Sequence, residues 1–365
     1  MTLESHRVMA TRVSGLSAML LVAWSSSAAA ELVVVAPVAW QVSQRGVPAR
    51  IELSGTGLFA AGARIECRLL TASMGPEPAP PLPAAASAWR PLAVEPADPN
   101  APNRARASVD LPAGGWYRLE VRAASAGIAA VEPFGVGEVF VVAGQSYATN
   151  TNDERLVVAD PRRRVAALDV ETGRWRLAND PQPAPDRSDG GSIWPAVGDR
   201  LAAELDMPIG FVNVAFSATS TQKWAADGPL SARLHKAGRM VGRFGAVLWQ
   251  QGESDVMAGT STDDYVARLQ AIRAAAVEAW GFEPVWLCAF STHHPTVYQN
   301  PEGETRIRAA ISRLGTLPGF GLGPDTDTLQ GPDRGGPGSR RHFSPAGQRN
   351  AAALWSDLLL KKARP

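Results

Sequence analysis

Hydrophobic and polar positions change rhythm once along this chain. Through residues 32–136 the apolar positions come in short runs, among them "LVVVAPVAW", "ARIELSG", "RIECRLL", "SAWRPLAV", "RARASVDL" and "WYRLEVRAA". Several alternate with polar residues; in "WYRLEVRA", Tyr117, Leu119 and Val121 fall on one face of an extended strand. Gly, Pro, Ser and Asn separate the runs, and no helical period intervenes. Residues 31–136 are therefore predicted to form a small β-sandwich accessory domain. The Pro- and Ala-rich stretch "TASMGPEPAPPLPAAASAW" is a loop inside it, because strand patterning resumes beyond it.

From Gly137 apolar strands alternate with helical stretches. "GEVFVVAG", "PIGFVNVAF", "GAVLWQQG" and "EPVWLCAFS" have the continuous apolar character of buried parallel strands. "WPAVGDRLAAELD", "DDYVARLQAIRAAAVEAW", "TRIRAAISRL" and "PAGQRNAAALWSDLLLKK" have helical spacing; in the second, Tyr265, Leu269, Ile272 and Val277 lie near one face. Residues 137–365 thus predict an α/β domain with a parallel sheet between helices, a three-layer arrangement. Ligand sites in such sheets lie at the carboxyl ends of the strands.

The 365 residues allow two domains after a leader. Arg7 and Arg12, then "LSAMLLVAW", then "SSSAAA" before Glu31, follow the order of a signal peptide over residues 1–30. The apolar run is shorter than the roughly 20 residues a membrane span needs. A secreted or periplasmic protein, with no membrane segment after processing, is expected. A formal net charge of +1 gives no sign of a nucleic-acid partner. Cys67 and Cys288 each sit in an apolar strand, in different domains, and are expected as two buried thiols rather than a disulfide.

The predicted carboxyl ends carry the polar chemistry. The first strand of the second domain stops at Gly144-Gln145-Ser146, the next at "FSATSTQKW", the third at "WQQGESD", and "RRHFSPAGQ" precedes the last helix. Taken singly, Ser146 is an ordinary turn residue and His342 an ordinary surface histidine. Together they supply a nucleophile, small residues for oxyanion donors, an amide, a carboxylate and a base, which is the inventory of acyl transfer.

In that order, "AGQSYATN", "FSATSTQKW", "LWQQGESD" and "RRHFSPAGQ" resemble the successive blocks of SGNH/GDSL-type hydrolases, most nearly the sialate O-acetylesterase and acetyl-xylan-esterase-like group. The resemblance spans about residues 137–360. It implies Ser146 as nucleophile and His342 as general base. It implies an oxyanion hole from the backbone N–H groups of Ser146 and Ala218 with the side chain of Gln251, an amide that donates without titrating. Two positions depart from the pattern. Tyr147 replaces an asparagine, and Ser339 stands where an Asp-x-x-His aspartate belongs. A histidine base needs an acceptor that fixes its tautomer. Arg340 and Arg341, if their heads lie near the ring, would oppose imidazolium formation. Glu253 is the first candidate acid, Asp333, Asp327 and Asp325 are alternatives, and a Ser–His dyad using a backbone carbonyl is a third solution.

Tyr147, Trp224 and His293 are candidate substrate contacts, Trp224 as a sugar-stacking surface; Trp249 continues a strand and belongs to the core. His293 and His294 lack neighbouring ligands at metal spacing, so no metal or other cofactor is expected. The function expected is an exported serine esterase removing O-acetyl groups from a carbohydrate, either sialic acid or a plant or bacterial polysaccharide. Two alternatives stand beside it: a non-catalytic glycan-binding protein on a decayed hydrolase scaffold, and a lipase or thioesterase of the same fold, which the lack of a long apolar lid segment disfavours. Oligomeric state is not legible.

Overall fold

The structure, a computed structural model, describes residues 31–59, 63–98, 100–124, 126–293, 299–336 and 341–363. The expected signal peptide lies outside these residues. Strands β1 (Val33–Ala36), β2 (Val42–Gln44), β3 (Ala49–Ser54) and β4 (Ile65–Thr71), the single-turn helix α1 (Ala84–Ser87), and strands β5 (Arg90–Pro91), β6 (Glu95–Pro96), β7 (Arg104–Val109) and β8 (Gly114–Ala123) make the N-terminal unit. One antiparallel sheet has the order β1-β3-β7-β6. Facing it, β4 pairs with β5 and β8. Tyr117, Leu119 and Val121 of β8 do share one face, and they pack in one core with Ile51 and Leu53 of β3.

Strand β9 (Gly127–Gly144) joins the two halves of the molecule. It runs unbroken through the expected boundary between residues 136 and 137. Its first part pairs antiparallel with β8, and its second part, from Glu138, lies parallel between two later strands. Residues 133–144 are all buried. A strand covered on both faces has no reason to alternate, which explains the change of rhythm near Gly137.

The remaining elements are β10 (Val165–Asp169), β11 (Arg174–Leu177), α2 (Trp194–Leu205), β12 (Ile209–Asn213), α3 (Pro229–Val241), β13 (Ala246–Gln250), α4 (Glu253–Met257), α5 (Thr262–Trp280), β14 (Val285–Phe290), α6 (Pro301–Leu314), β15 (Phe320–Asp325) and α7 (Pro345–Ala363). The large sheet has the order β11-β10-β12-β9-β13-β14-β15. All its pairs are parallel except the edge hairpin β10–β11, whose strands the apolar pattern did not mark. Val139, Val141 and Ala143 of β9 pack in one core with Leu234 of α3, Leu269 of α5 and Ile307 of α6. Phe140 and Val142 pack in another with Trp194 of α2 and Trp355 of α7. Helices therefore cover both faces. On α5, Tyr265, Leu269 and Ile272 are buried as expected, while Ala276 rather than Val277 completes the face.

Both cysteines are free and buried, Cys67 in the N-terminal core and Cys288 in β14. Burial pushes both thiols above the ordinary range. Among the described residues no helix is long and apolar enough to cross a membrane.

Candidate active site

The end of β9 explains the Gly-Gln-Ser sequence. Gly144 has φ +130°, and a Cβ on it would lie 2.1 Å from the Gln250 carbonyl oxygen of neighbouring β13. Glycine is required on both counts. Gln145 continues the strand and its N–H donates to that same carbonyl at 3.0 Å. The chain then folds into one 3-10 turn, Ser146–Ala148, which lifts Ser146 off the end of the strand. The turn is pinned from below: Trp194 Nε1 and Asn213 Nδ2 both donate to the Ala148 carbonyl, at 2.8 and 2.7 Å. The Ser146 carbonyl accepts the hydroxyls of Thr149 and Thr151 at 3.0 and 2.6 Å. Ser146 is buried, and its hydroxyl makes no hydrogen bond among the described residues. A fixed backbone under an uncommitted hydroxyl suits a nucleophile.

Gln145 is the hub between the blocks. Its Nε2 donates to Glu253 at 2.9 Å, and its Oε1 accepts the Ser254 N–H at 3.0 Å. Glu253, at the start of α4, is fully buried. Its other oxygen accepts Arg341 Nε at 2.9 Å. One carboxylate thus ties the Ser146 block to the segment that carries His342. Burial pushes the Glu253 carboxyl above the ordinary range, and the Arg341 guanidinium pulls it back. Asp255, two residues on and also fully buried, faces elsewhere: it accepts the Thr221 N–H at 2.7 Å, the Thr221 and Thr260 hydroxyls at 2.8 Å each, and Gln251 Nε2 at 2.6 Å.

His342 follows Arg341. Its ring meets the Tyr147 ring edge-on, with centroids 5.2 Å apart at 68°. The histidine segment and the residue next to Ser146 are therefore in direct contact. Arg334, buried, organises this segment. It donates to Tyr147 Oη at 2.6 Å and to the carbonyls of Leu329, Thr326 and Arg341. The Tyr147 hydroxyl in turn donates to the Arg341 carbonyl.

Several expectations are corrected. Tyr147 and Trp224 cannot touch substrate, because their side chains are fully buried. Tyr147 is a support for His342 and Phe343, and Trp224 packs edge-on against Trp249 at 5.2 Å in the core. The Gln251 amide is already engaged: Nε2 faces Asp255, the Thr219 carbonyl at 3.1 Å and Gln145 at 3.3 Å, and Oε1 accepts Tyr265 Oη at 2.9 Å. It therefore holds the residue 219–221 loop rather than offering a free N–H to an oxyanion. Arg341 turns its head to Glu253; Arg340 and Ser339 lie outside the described residues. The alternative acids are also committed. Asp325 and Asp327 both pair with Arg308, Asp327 further accepts the N–H groups of Thr292 and His293, and Asp333 accepts Asn350 Nδ2 at 2.7 Å. His293 lies partly exposed at the end of β14 with Nδ1 3.2 Å from Glu304, while His294 is outside the described residues.

The loop after β12 adds a part that the sequence reasoning missed. Ala218 has φ +56°, a conformation that favours glycine. Beside it, Ser217 N–H and Oγ both donate to Asp186 Oδ2, at 3.1 and 2.5 Å. Ser217 Oγ also lies 3.3 Å from Thr149 Oγ1. A polar chain, Asp186–Ser217–Thr149–Ser146, thereby couples this loop to the 3-10 turn. Asp186 sits in an irregular stretch with no periodicity to mark it. Gln145, Asp255 and Arg341 lay within quoted motifs, but their partners come from distant segments.

The profile of the family described as carbohydrate esterase, sialic acid-specific acetylesterase, matches residues 136–302. Over those residues, which make up less than half of the chain, it is similar to this family. The protein is a carboxylic ester hydrolase of the carbohydrate acetylesterase kind. The matched residues include Ser146, Ala218 and Glu253 and stop short of His342. Among solved structures, a carbohydrate acetylesterase from Xanthomonas citri is similar, with 17% identity, a TM-score of 0.58, and 87% of this chain and 72% of that one covered. An Arabidopsis thaliana protein is matched at 16% identity and a TM-score of 0.48, covering 61% of this chain and 98% of that one. A member of the lipolytic G-D-S-L family from Veillonella parvula is matched at 9% identity and a TM-score of 0.33, covering 61% and 97%. The first of these has a fold similar to that of this esterase. No curated protein matches the chain.

Proposed function

We propose that this esterase is an exported serine hydrolase that removes O-acetyl groups from carbohydrate through an acyl-enzyme. The observation that carries the proposal is the joining of blocks: Glu253 links Gln145, beside Ser146, to Arg341, beside His342. Ser146 Oγ attacks the ester carbonyl carbon while His342 takes its proton. The C–O bond to the sugar then breaks, and the sugar oxygen leaves with the proton from the imidazolium. Water, deprotonated by His342, attacks the acetyl-serine and releases acetate. The backbone N–H groups of Ser146 and Ala218 serve as oxyanion donors; neither is spent on any of the described hydrogen bonds. Glu253 acts as the site's carboxylate by fixing the histidine segment, in place of an aspartate at position 339.

In the same proposal the large sheet with helices on both faces is the three-layer SGNH arrangement, and residues 31–136 are its β-sandwich companion. The N-terminal basic, apolar and small-residue order supports export. Hydrolysis of 4-nitrophenyl acetate by wild type and by Ser146→Ala tests the mechanism. The variant is expected to lose activity, and equal rates would refute it.

A further inference from the structure

The backbone that follows the His342 ring is held group by group. The His342 carbonyl accepts the Gly335 N–H at 2.8 Å, the Phe343 carbonyl accepts the Asp153 N–H at 3.2 Å, and the Ser344 N–H donates to the Asp333 carbonyl at 2.9 Å. The Phe343 N–H, between the first two, finds its acceptor in a side chain: it donates to Asn152 Oδ1 at 3.1 Å. Asn152 is buried and its own backbone is fixed. Its N–H donates to the Gly191 carbonyl at 3.0 Å, and its carbonyl accepts the Gly191 N–H at 2.9 Å. One residue back, Thr151 Oγ1 donates to the Ser146 carbonyl at 2.6 Å. Residues 146–153 therefore grip Ser146 at one end and the neighbour of His342 at the other. The Asn152 Nδ2 makes no hydrogen bond among the described residues. A buried donor without a partner lowers stability, so the amide is best explained by what its oxygen holds.

We infer that Asn152 is a positioning residue: by accepting the Phe343 N–H it sets where His342 stands relative to Ser146. The inference rests on the mechanism proposed above and deepens it. The Glu253–Arg341 link holds the chain just before the histidine, and Asn152 holds it just after. A peptide group adjoining the imidazole's own residue fixes the direction in which that side chain leaves the backbone. Released, the ring would drift, and a misplacement of about 1 Å costs on the order of 10²-fold in rate. An amide oxygen does this work without bringing a titrating charge to the histidine's end of the site.

The test measures kcat and KM for 4-nitrophenyl acetate in wild type, Asn152→Leu and Asn152→Asp, with hydrogen–deuterium exchange of the peptide that contains Phe343. Asn152→Leu nearly keeps the side-chain volume and removes the acceptor. It should lower kcat on the order of 10- to 100-fold, change KM by less than about threefold, and speed exchange at Phe343. Asn152→Asp keeps an acceptor for the same N–H and should hold kcat within about threefold of wild type. An unchanged kcat or unchanged exchange in Asn152→Leu, a loss carried by KM, or an Asn152→Asp no better than Asn152→Leu would overturn the inference. Should Asn152→Leu fail to fold, Asn152→Asp decides alone: retained kcat supports the role, and a folded variant slowed more than about tenfold refutes it. Ser146→Ala and His342→Ala separate the two levels. Activity retained in either would sink the mechanism itself, whereas both inactive beside a fully active Asn152→Leu would sink the positioning role alone.

Discussion

Two regions of this chain are rich in charge and treat it in opposite ways. On the β4–β8–β9 face of the N-terminal unit, Arg68, Arg118 and Arg122 form a ladder with Glu66, Glu120 and Glu132 at 2.7 to 2.8 Å, and the Trp89 ring lies under two of the guanidinium groups. Its arginines are all 30% exposed or more, and only Glu120 among its carboxylates is buried. At the carboxyl edge of the large sheet, Glu253 and Asp255 are fully buried on one short helix. An exposed pair contributes about 0–1 kcal/mol. A buried one costs several kcal/mol per ion to desolvate, and apolar residues of the same volume would often serve stability as well. The buried set is therefore best explained by what it positions, and it positions the three segments that carry Ser146, the Ala218 loop and His342.

That contrast can be broken at several levels. Ser146→Ala should lower kcat by roughly 10⁴-fold or more while leaving the melting temperature nearly unchanged, as activity and calorimetry on the same sample would show. Glu253→Ala should cost about 1–3 kcal/mol of stability, since it leaves the buried Gln145 amide without its acceptor, and urea unfolding reads this directly. The carboxyl also gives a pH signature. Burial raises the Glu253 pKa in the folded state, so above the ordinary value of about 4.3 the unfolded chain loses the proton first. Stability is then lost as pH rises toward the folded value, and Glu253→Gln, which cannot titrate, should flatten that slope. Asp186→Ala should lower kcat about tenfold with little change in KM, because it frees the loop whose Ala218 N–H is the proposed oxyanion donor without touching substrate; Asp186→Glu should recover part of the loss. Smallest of all, Arg122→Ala on the N-terminal ladder should change stability by less than about 1 kcal/mol and leave kcat alone, and a large effect there would erase the distinction.

The four central strands β9, β12, β13 and β14 of the large sheet were legible because buried parallel strands are continuous apolar runs. The edge hairpin β10–β11 was not, because "VAALDVETGRWRL" is short and mixed. Ser146, Glu253 and His342 stood out only together, as blocks in one order, since each alone is an ordinary turn, cap or surface residue. The roles of Tyr147 and Trp224 were misjudged for one reason: an aromatic residue beside a polar motif reads the same whether it points to solvent or beneath the turn. Burial decides, and burial depends on Phe343, Arg334 and Trp249, which arrive from other segments. The Gln251 amide misled in the same way, for its acceptors Asp255 and Thr219 meet it only in the fold.

The account stands most directly on where a covalent adduct forms. Wild-type protein treated with a fluorophosphonate and mapped by peptide mass spectrometry should carry one phosphonyl group, on Ser146, with labelling abolished in Ser146→Ala and slowed strongly in His342→Ala. An unlabelled wild type, or an adduct on another residue that persists in Ser146→Ala, would contradict it.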